Sequence, residues 1–516
     1  MSCRPQTIPL AVHSLDEILT RLAARSPDKA CIVVPGGPTL TYRDLERRAS
    51  AFARLLLEQG CQPGDRLVLA NCNTPSFFAA LFGALHAGLI AVPIDAGLGS
   101  PELTNVIAHA RPRAVVVDRR SAAAFAELDV PQCALDPEAG VPWHDLDHLD
   151  EASTDLIDPI QRPDGAIILY TSGTTGSPKG VLHGHAGILS KLAAIQSWFG
   201  LDDGTTALCL LPTHFGHGLI ACCLSTFHYG GTLVLCQPFD VELLQRLFTL
   251  VERYEINVFS TVPAIIRLLL RFSGASDRPA PPSLRFVTCA SAPLHAQEVD
   301  AFEARFQVPL LNCYGITEGA TWAAMSPPDR ERDRHSVGIA HGCRIRAVDR
   351  DRVELPPGAI GSLEIAGPSL MLGYYLDPEA TGRTIVDGWL ATGDLGHVDA
   401  QGRVFLAGRS KELIIRAGAN VYPAEVEAVV MSHPGVAEAH AVGLDHAILG
   451  ERVAACVIRQ AGSSVSREEL ITHCRERLAH YKCPEEIKFV DAIPKTSRGK
   501  VSRASVKAMF DGQSAG

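Results

Sequence analysis

The chain alternates short apolar runs with amphipathic helical stretches through most of its first 327 residues, and this alternation restricts the folds open to it. The stretch from Thr41 to Asp44 is a capping-box pattern that opens one helix, and Thr74-Pro75 opens another. Strands that alternate with helices predict an α/β fold with mostly parallel sheets covered by helices. Runs typical of buried strands occur at 66–70, 113–117, 166–170, 207–211, 232–235, 257–260 and 285–288.

The pattern of apolar runs and of Gly and Pro residues changes after about Pro327 and again near Arg409. After the first change, short runs divided by Gly and Pro predict a small β-barrel-like section. After the second, a helix start at Pro423 and a capping box from Ser466 to Glu469 predict a compact α+β domain. The predicted divisions are an N-terminal domain at 1–408, with subregions at about 1–160, 161–327 and 328–408, a hinge at 409–412 and a C-terminal lid domain at 413–516.

Composition excludes several classes of function. A net charge of −10 over 516 residues, without any basic block, argues against a nucleic-acid surface. The fifteen cysteines are scattered and form no C-x-x-C, so we expect free thiols in a reducing cytoplasm. The N-terminal segment has no long apolar stretch of the kind that marks a secretion signal. The apolar stretch at 77–94 is interpreted as a helix, Gly88 and a buried strand, and no membrane span is expected.

A polar segment, TSGTTGSPKG from Thr171 to Gly180, directly follows the apolar run at 166–170. Its glycines can turn backbone N–H groups toward one point, and its hydroxyls and the Lys179 ammonium add donors that suit a phosphate. The segment is not the common P-loop, because Pro178 and Gly180 stand where that motif needs Gly and then Ser or Thr. Taken alone, the segment fits phosphate binding and a plain polar linker about equally.

Four segments downstream suit the same nucleotide, although each also has a plain structural interpretation. NCYGITEG at 312–319 offers the Asn312 amide, the Tyr314 ring and the Glu318 carboxylate, a hard ligand for Mg²⁺, or it is only a strand end. ATGDLG at 391–396 places Asp394 in a turn, where it can accept ribose hydroxyls or serve its own backbone. GRSKELIIRAG at 408–418 and PKTSRGKVSR at 494–503 can equally be solvated surface.

In this order and with these residues, the five segments resemble the adenylate-forming superfamily of acyl-CoA synthetases, aryl-CoA ligases, peptide-synthetase adenylation domains and luciferases. The resemblance extends from the Thr41 helix to Arg503. It implies a large N-terminal domain and a small mobile C-terminal lid that rotates between two half-reactions. It also implies ATP, Mg²⁺ and coenzyme A, or the phosphopantetheine arm of a carrier protein, as cofactors and co-substrates.

The resemblance assigns most of the nucleotide to the N-terminal domain. The residues expected to wrap the β- and γ-phosphates are Thr171, Ser172, Gly173, Thr174, Thr175, Gly176 and Lys179. The residues expected around adenine are Ser291, Ala292 and Pro293 as a backbone shelf, Asn312 at the amino group, Tyr314 stacked near the base, and Gly315 in the same segment. Thr317 is expected to contact the α-phosphate, and Glu318 is expected to hold Mg²⁺.

The resemblance assigns the remaining roles to the C-terminal third of the chain. Asp394 and Arg409 are expected to hold the ribose, Lys411 marks the hinge, and a pantetheine tunnel runs beside the segment containing Gly418. Lys500 is expected to bridge the substrate carboxylate and the α-phosphate. Because a carboxylate must approach an anionic phosphorus, this lysine and Mg²⁺ would offset the repulsion while pyrophosphate leaves. The acceptor's thiol then attacks the acyl-adenylate, so none of the protein's own cysteines need act as nucleophile.

The segment LPTHFGHGL at 211–219 matches the lining of the acyl pocket in that superfamily. The expected pocket residues are His214, Phe215, His217 and Gly218. Phe215 stands where many relatives have histidine and aryl-CoA ligases of the benzoate type have an aromatic residue, which favours an aromatic or compact aliphatic acid. No aspartate between residues 211 and 229 could hold an α-ammonium, which argues against amino acids. His217 either faces the substrate or forms hydrogen bonds within the core.

We therefore predict an ATP-dependent acid–CoA ligase that forms AMP and pyrophosphate. The alternative with the same first half-reaction is an acyl-AMP ligase that loads a separate acyl- or aryl-carrier protein. A nucleotide sensor without chemistry would show no acid-dependent exchange of pyrophosphate into ATP, and the presence of Lys500 and Glu318 argues against it. The expected partners are a small carboxylic acid and CoA or a carrier protein, and the expected assembly is a monomer or a homodimer.

Overall fold

The computed structural model describes residues 12–135, 163–171, 178–237, 241–272, 279–329, 331–417, 419–446, 448–494, 501 and 503–510. Contacts divide the chain into two compact units. The first unit is formed within residues 1–333, 338–344 and 366–390, and the second within residues 334–337, 345–365 and 391–516.

Helices and strands alternate through the first unit, as the sequence predicts. The α-helices of the described chain are α1 Leu15–Arg25, α2 Tyr42–Glu58, α3 Pro75–His86, α4 Ser100–Ala110, α5 Ala122–Phe125, α6 His185–Phe199, α7 Ser225–His228, α8 Val241–Arg253, α9 Pro263–Phe272, α10 Ala296–Phe306, α11 Pro378–Thr384, α12 Pro423–Met431, α13 Arg467–Arg475 and α14 Arg503–Ala508. Other helical segments are a π-helix at His217–Leu224 and 3₁₀ turns at Thr317–Gly319, Ser410–Glu412 and His480–Lys482.

The described chain also contains 26 strands, of which the longest are β20, β24 and β25. They are β1 Ala30–Val33, β2 Thr39–Thr41, β3 Arg66–Leu69, β4 Ile90–Pro93, β5 Ala114–Val117, β6 Gln132–Ala134, β7 Gly165–Thr171, β8 Lys179–Gly184, β9 Thr206–Cys209, β10 Thr232–Leu235, β11 Val258–Thr261, β12 Phe286–Cys289, β13 Leu310–Ile316, β14 Thr321–Met325, β15 Ile339–Ala340, β16 Arg344–Val348, β17 Gly361–Ala366, β18 Gly373–Tyr374, β19 Ile385–Val386, β20 Trp389–Val398, β21 Val404–Arg409, β22 Ile414–Arg416, β23 Ala419–Val421, β24 Val436–His446, β25 Gly450–Arg459 and β26 Glu486–Phe489.

Side-chain caps fix the starts of the helices that the sequence predicts. At α2 the Thr41 hydroxyl accepts the Asp44 amide at 3.1 Å, and the Asp44 carboxylate accepts the Thr41 amide at 2.9 Å. The Thr74 hydroxyl caps α3 by accepting the Phe77 amide at 3.1 Å, and Ser466 closes a capping box at α13. Each cap satisfies amides that the first helical turn leaves without a partner, which stabilises the helix by about 1 kcal/mol.

A nine-stranded sheet of the first unit has the strand order β15-β14-β13-β12-β11-β9-β10-β1-β2. Neighbouring strands from β13 to β1 are parallel, which confirms the predicted parallel character. The strands β2, β14 and β15 add antiparallel edges. Because parallel strands end at a common edge, residues that follow β11, β12 and β13 lie near one another, where open α/β sheets place their ligands.

A second sheet of the first unit has seven strands in the order β18-β8-β7-β4-β3-β5-β6. The strands from β7 to β6 are parallel, whereas β8 returns antiparallel to β7 and β18 pairs with β8. The apolar stretch at 77–94 is α3, a turn with Gly88 at φ +74° and β4, as predicted. No helix in the described ranges has both the length and the apolar character needed to cross a membrane.

The core beneath α2 and α3 shows how the sequence pattern becomes packing. The apolar face of α2, with Leu45, Ala49, Phe52, Ala53 and Leu56, is buried, and Phe52 has no exposed surface. Burying such a side chain contributes about 1.5–3 kcal/mol. A Cβ added to Gly83 of α3 would lie 2.8 Å from the Ala49 carbonyl oxygen, so glycine lets the two helices approach closely.

The second unit is built on a sheet in the order β23-β22-β25-β24, to which β26 adds in parallel beside β25. Strands β24 and β25 form a long antiparallel hairpin. The apolar side chains of α12 and α13 pack on this sheet, and Val426, Val430 and Leu470 are fully buried. A separate hairpin of the same unit pairs β20 with β21 and sets Asp394 opposite Arg409.

Candidate active site

The predicted phosphate segment spans a hairpin. Thr171 ends β7, Lys179 begins β8, and the two residues are register partners. The predicted residues Ser172, Gly173, Thr174, Thr175 and Gly176 lie outside the described residues. The sequence predicted a loop after β7, and the structure adds that the chain returns antiparallel to the same strand. This return holds the Lys179 side chain beside the end of β7.

Lys179 and Glu318, which come from different motifs, both contact Tyr374. The Lys179 ammonium lies 5.0 Å from the centre of the Tyr374 ring, a distance at which the ring face attracts a cation. The Tyr374 hydroxyl donates to Glu318 Oε1 at 2.9 Å. Partial burial, and then the nearby Glu318 carboxylate, raises the pKa of Tyr374, so the hydroxyl stays protonated as a donor. The structure therefore unites two of the predicted segments through a tyrosine that the sequence analysis missed.

Tyr374 is missed for a clear reason. It lies on β18, a two-residue strand whose partner β8 is almost 200 positions earlier in the chain. Its neighbour Gly373 offers a faint signal, because a Cβ there would lie 2.9 Å from the Thr381 hydroxyl oxygen. A single Gly-Tyr pair carries too little information to predict that contact.

The residues expected around adenine lie at one edge of the nine-stranded sheet. Asn312 on β13 pairs in register with Cys289 at the end of β12, and Ser291 follows two residues later. Ser291, Ala292 and Pro293 are all exposed, so their backbone is accessible to a ligand. Ser291 has φ +75°, an unfavourable conformation for a residue with a side chain that often marks a functional position.

The same edge leads into the segment with Thr317 and Glu318. Tyr314 is largely buried on β13, and a Cβ at Gly315 would collide with the Thr321 carbonyl, so only glycine fits there. Thr317 and Glu318 lie in a 3₁₀ turn directly after the strand. The Glu318 carbonyl accepts the Met371 amide at 2.8 Å. Backbone and side chain of Glu318 are thus both fixed by the strand segment at 371–374.

A hydrogen-bonded chain joins the predicted acid pocket to the predicted adenine shelf. The Thr288 hydroxyl donates to the Ser260 oxygen at 2.7 Å, and Ser260 lies 2.6 Å from His217 Nε2. The His217 Nδ1 atom lies 2.9 Å from the Ser291 hydroxyl oxygen. Since the Ser260 oxygen accepts a hydrogen bond from Thr288, the Ser260 hydroxyl donates to Nε2, and Nδ1–H donates to the Ser291 oxygen. His217 therefore orients the Ser291 hydroxyl.

The imidazole of His217 is neutral. Burial lowers its pKa to about 3, and the ring meets Trp322 edge to face, with ring centres 5.3 Å apart. Both possibilities left open by the sequence are compatible with this position, because the ring forms hydrogen bonds inside the protein and also borders Ser291. The sequence could not reveal this contact, since His217, Ser260 on β11 and the end of β12 with Thr288 and Ser291 are far apart in the chain.

The other pocket residues surround the start of the π-helix. The rings of His214 and Phe215 lie 4.1 Å apart between centres, and His214 Nε2 lies 3.7 Å from Asp95 Oδ2. A Cβ at Gly218 would collide with the Pro212 carbonyl oxygen. Gly218 lies in the first turn of the π-helix, and its lack of a side chain lets this turn pack against the preceding segment that carries His214 and Phe215.

In the second unit, the two residues expected at the ribose contact each other. Arg409 Nε lies 2.7 Å from Asp394 Oδ1 across the β20–β21 hairpin. Asp394 is buried and its amide donates to the Thr392 hydroxyl at 3.0 Å. Lys411 follows in an exposed position of the 3₁₀ turn Ser410–Glu412.

The lid residues Lys500 and Gly418 lie outside the described residues, but the segment after Lys500 is anchored by a buried network. Arg503 of α14 pairs with Glu427 of α12, and its Nε lies 3.4 Å from Glu412 Oε2. The Ala441 amide donates to Glu427 at 2.9 Å. Although burial acts to raise it, the pKa of Glu427 is lowered by His440 and Arg503, so the carboxylate is ionised.

Family profiles and known proteins match both parts of this chain. The profile of the family described as AMP-binding enzyme matches residues 19–375, and that of the AMP-binding enzyme C-terminal domain matches residues 425–500. A sulfoacetate–CoA ligase of Cupriavidus necator is 32% identical over 96% of this chain and 98% of its own length. The fatty acid–acyl-carrier-protein ligase ScoC of Streptomyces coeruleorubidus is 32% identical over 93% of each chain.

A solved structure shows the same architecture. ATP-bound MatB from Rhodopseudomonas palustris superimposes with a TM-score of 0.88 at 29% identity, over 97% of this chain and 99% of that one. The likeness includes a large N-terminal and a small C-terminal domain. The chain therefore belongs to the AMP-binding enzyme family and is an AMP-forming acid–thiol ligase that uses ATP and coenzyme A.

Proposed function

We propose that the protein activates an aromatic or compact aliphatic carboxylic acid with ATP and Mg²⁺, releases pyrophosphate, and transfers the acyl group to CoA with release of AMP. The observation that carries this proposal is the contact of Lys179 and Glu318 with one tyrosine, Tyr374. It sets a cation for terminal phosphates beside a carboxylate for their metal ion. The matches to CoA ligases support CoA as the acceptor.

Glu318 fits a magnesium ligand. Its carboxylate is a hard oxygen donor in a partly buried turn, and the Tyr374 hydroxyl fixes its orientation through one oxygen. Such a group, with phosphate oxygens, is the usual environment of Mg²⁺. When bound, the ion would neutralise charge on the phosphates during displacement at the α-phosphorus.

Other residues of this chain would bind the nucleotide and the acid. Lys179 would hold the terminal phosphates with Thr171 and the segment at 172–177. Ser291 and Asn312 would hold adenine, Asp394 and Arg409 the ribose, and Lys500 would join the carboxylate to the α-phosphate. A hinge at 409–412 would allow the lid to withdraw Lys500 before the thiol attacks. The roles of Lys500 and of the segment at 172–177 rest on the family resemblance alone, and the other roles rest on that resemblance and on the positions described above.

A half-reaction assay tests the proposal. Acid-dependent exchange of labelled pyrophosphate into ATP, screened over benzoates, cinnamates and short-to-medium fatty acids, should reveal the first step. Lys179→Ala should slow exchange by about 10²–10³-fold, the typical loss of a transition-state charge contact, whereas Tyr374→Phe should have a smaller effect because the lysine remains. Absence of exchange with every acid would contradict the proposal and favour a nucleotide sensor.

The acceptor is tested separately. The enzyme is first charged with ATP and an active acid, and CoA or a holo-carrier protein is then supplied. We expect acyl-CoA to form at a higher kcat/KM than acyl-carrier protein. The similarity to the carrier-protein ligase ScoC makes the opposite preference the meaningful alternative, and that outcome would reassign the acceptor without affecting the first step.

A further inference from the structure

Three buried cysteines form a cluster that the proposed reaction does not use. Cys209 ends β9, and Cys222 and Cys223 lie in the π-helix His217–Leu224. Their three sulfur atoms all lie within 4.8 Å of one another. The exposed fractions of the side chains are 0, 6 and 0% in that order. The group therefore sits inside the first unit.

The π-helix explains how two consecutive cysteines can face the same partner. Its wider turn, with hydrogen bonds from residue i to i+5, reduces the angle between successive side chains. Cys222 and Cys223 can therefore both approach Cys209, whereas an α-helix would direct them further apart. Short π-helical segments are rare and occur often at functional sites.

The cluster offers sulfur donors and little else. In the part of the chain that the structure describes, no histidine or carboxylate belongs to the group. The nearest oxygen contacts are backbone carbonyls: Cys222 Sγ lies 3.6 Å from Leu208 O, and Cys209 Sγ lies 3.4 Å from Leu211 O.

We propose that Cys209, Cys222 and Cys223 form a three-sulfur site for one thiophilic monovalent cation of the Cu(I) class. Soft thiolate ligands select such ions, and a three-donor set does not match the four ligands of structural zinc. On binding, one thiol releases its proton to solvent and the monovalent cation takes the place of that charge, so the site stays neutral while the other two sulfurs coordinate through their lone pairs. No electron is transferred, because the metal enters as Cu(I).

The surroundings favour a metal over a disulfide. Leu219, Leu224 and Phe227 belong to the same buried cluster and have no exposed surface, so an ionised sulfur there needs a cation to compensate its charge. A disulfide would join only two of the three sulfurs and would require an oxidant. A single cation can use all three.

The test uses the reduced full-length protein under anaerobic conditions. Cu(I) is titrated in competition with a chromogenic Cu(I) chelator, and the wild type should retain one equivalent. Cys209→Ser and Cys222→Ser should each weaken retention by at least about tenfold, a loss typical even of outer-shell partners. The matched control is Cys313→Ser, which alters a buried cysteine elsewhere in the first unit. Equal retention by the cluster variants and the control would overturn the proposal, as would no retention by the wild type.

X-ray absorption on the wild type gives an answer that does not depend on how the variants fold. Three sulfur neighbours around copper are expected, and fewer than three would contradict the site. Zn²⁺ should not displace the bound copper, and displacement by equimolar Zn²⁺ would also contradict it. A disulfide between cluster cysteines in protein purified without reductant, detected by mass spectrometry, would assign the group to redox chemistry and overturn the metal proposal.

Discussion

Each compact unit buries a histidine among carboxylates, but the two networks differ in where their positive charge resides. In the first unit, His86 of α3 lies between Asp16 of α1 and Glu46 of α2, at 3.5 Å and 3.1 Å. In the second unit, Glu427 is held by His440 and also by Arg503. The first network depends on one proton, whereas the second has a guanidinium that stays charged.

The two networks therefore stabilise their units in different ways. Burial acts to lower the pKa of His86, but Glu46 and Asp16 outweigh it and raise the pKa to about 9. That charge links three helices of the N-terminal core. In the second unit, Arg503 lies three residues after Lys500 and reaches toward Glu412 beside the predicted hinge. A permanent cation there anchors the segment that follows the predicted catalytic Lys500 whatever the protonation state of His440.

The largest effect is expected from His86→Ala. It leaves two carboxylates buried without their cation, and breaking a buried pair of this kind costs about 3–5 kcal/mol. Hydrogen exchange of α1–α3 amides measures the loss of local unfolding free energy. The control is His109→Ala, which removes a partly buried histidine with one hydrogen bond to Tyr170 and should cost about 1 kcal/mol. Equal losses would mean that the charge of His86 is unimportant.

Alkaline pH should reproduce part of that loss in the unmodified protein. Because the folded pKa of His86 is raised above its ordinary value of 6.5, its contribution is complete below pH 6.5 and disappears as pH rises through 9. The contribution is about 3 kcal/mol. The same exchange experiment from pH 6 to pH 10 should show the decline in the wild type and little of it in His86→Gln. A parallel decline in both proteins would contradict the assignment.

A smaller loss is expected from Arg503→Ala. We expect about 2 kcal/mol, below the range for fully buried pairs, because Arg503 keeps part of its solvent contact while Glu427 is buried. Hydrogen exchange of the α12 and β24 amides measures this loss. Adenylation should also slow more than thioester formation from supplied acyl-adenylate, and Arg503→Lys should recover part of the rate.

The control is Lys507→Ala, which removes an exposed pair on the same helix and should change stability by less than about 1 kcal/mol. Equal slowing of both half-reactions would leave Arg503 with a purely structural role.

The smallest effect is expected from Thr20→Val, which tests only the network around His86. The Thr20 hydroxyl donates to Glu46 at 3.1 Å, so Thr20→Val removes one hydrogen bond and should cost about 1 kcal/mol. Thr20→Ser retains the donor and serves as the control. If the pKa of His86, followed by NMR, stays unchanged in Thr20→Val, the histidine alone sets the charge state of the network.

Local signals allowed much of the fold to be predicted. Alternation of apolar runs placed the parallel strands, and the Thr41, Thr74 and Ser466 caps placed helix starts, because these signals depend on neighbouring residues. The antiparallel return of β8 was missed, since one hairpin in a parallel sheet depends on long-range pairing. The π-helix was missed because its sequence is as apolar as a buried α-helix.

The candidate site divides in the same way. The family motifs predicted which residues belong together, including Glu318 and Lys179, but motifs do not show what lies between them. Tyr374 lies between those two side chains, and the Thr288, Ser260 and His217 chain connects two predicted subsites. Both depend on residues far apart in sequence, so only the folded chain reveals them.

Gly218 limits how the substrate range of this enzyme could be altered. Because any β-carbon there would strike the Pro212 carbonyl, a library that varies this position should yield misfolded products instead of new specificities. His214 and Phe215 are partly exposed, and their rings lie against each other. To fit a bulkier or smaller acid into the predicted pocket, His214 and Phe215 should therefore be replaced by smaller or larger residues, and Gly218 should be kept.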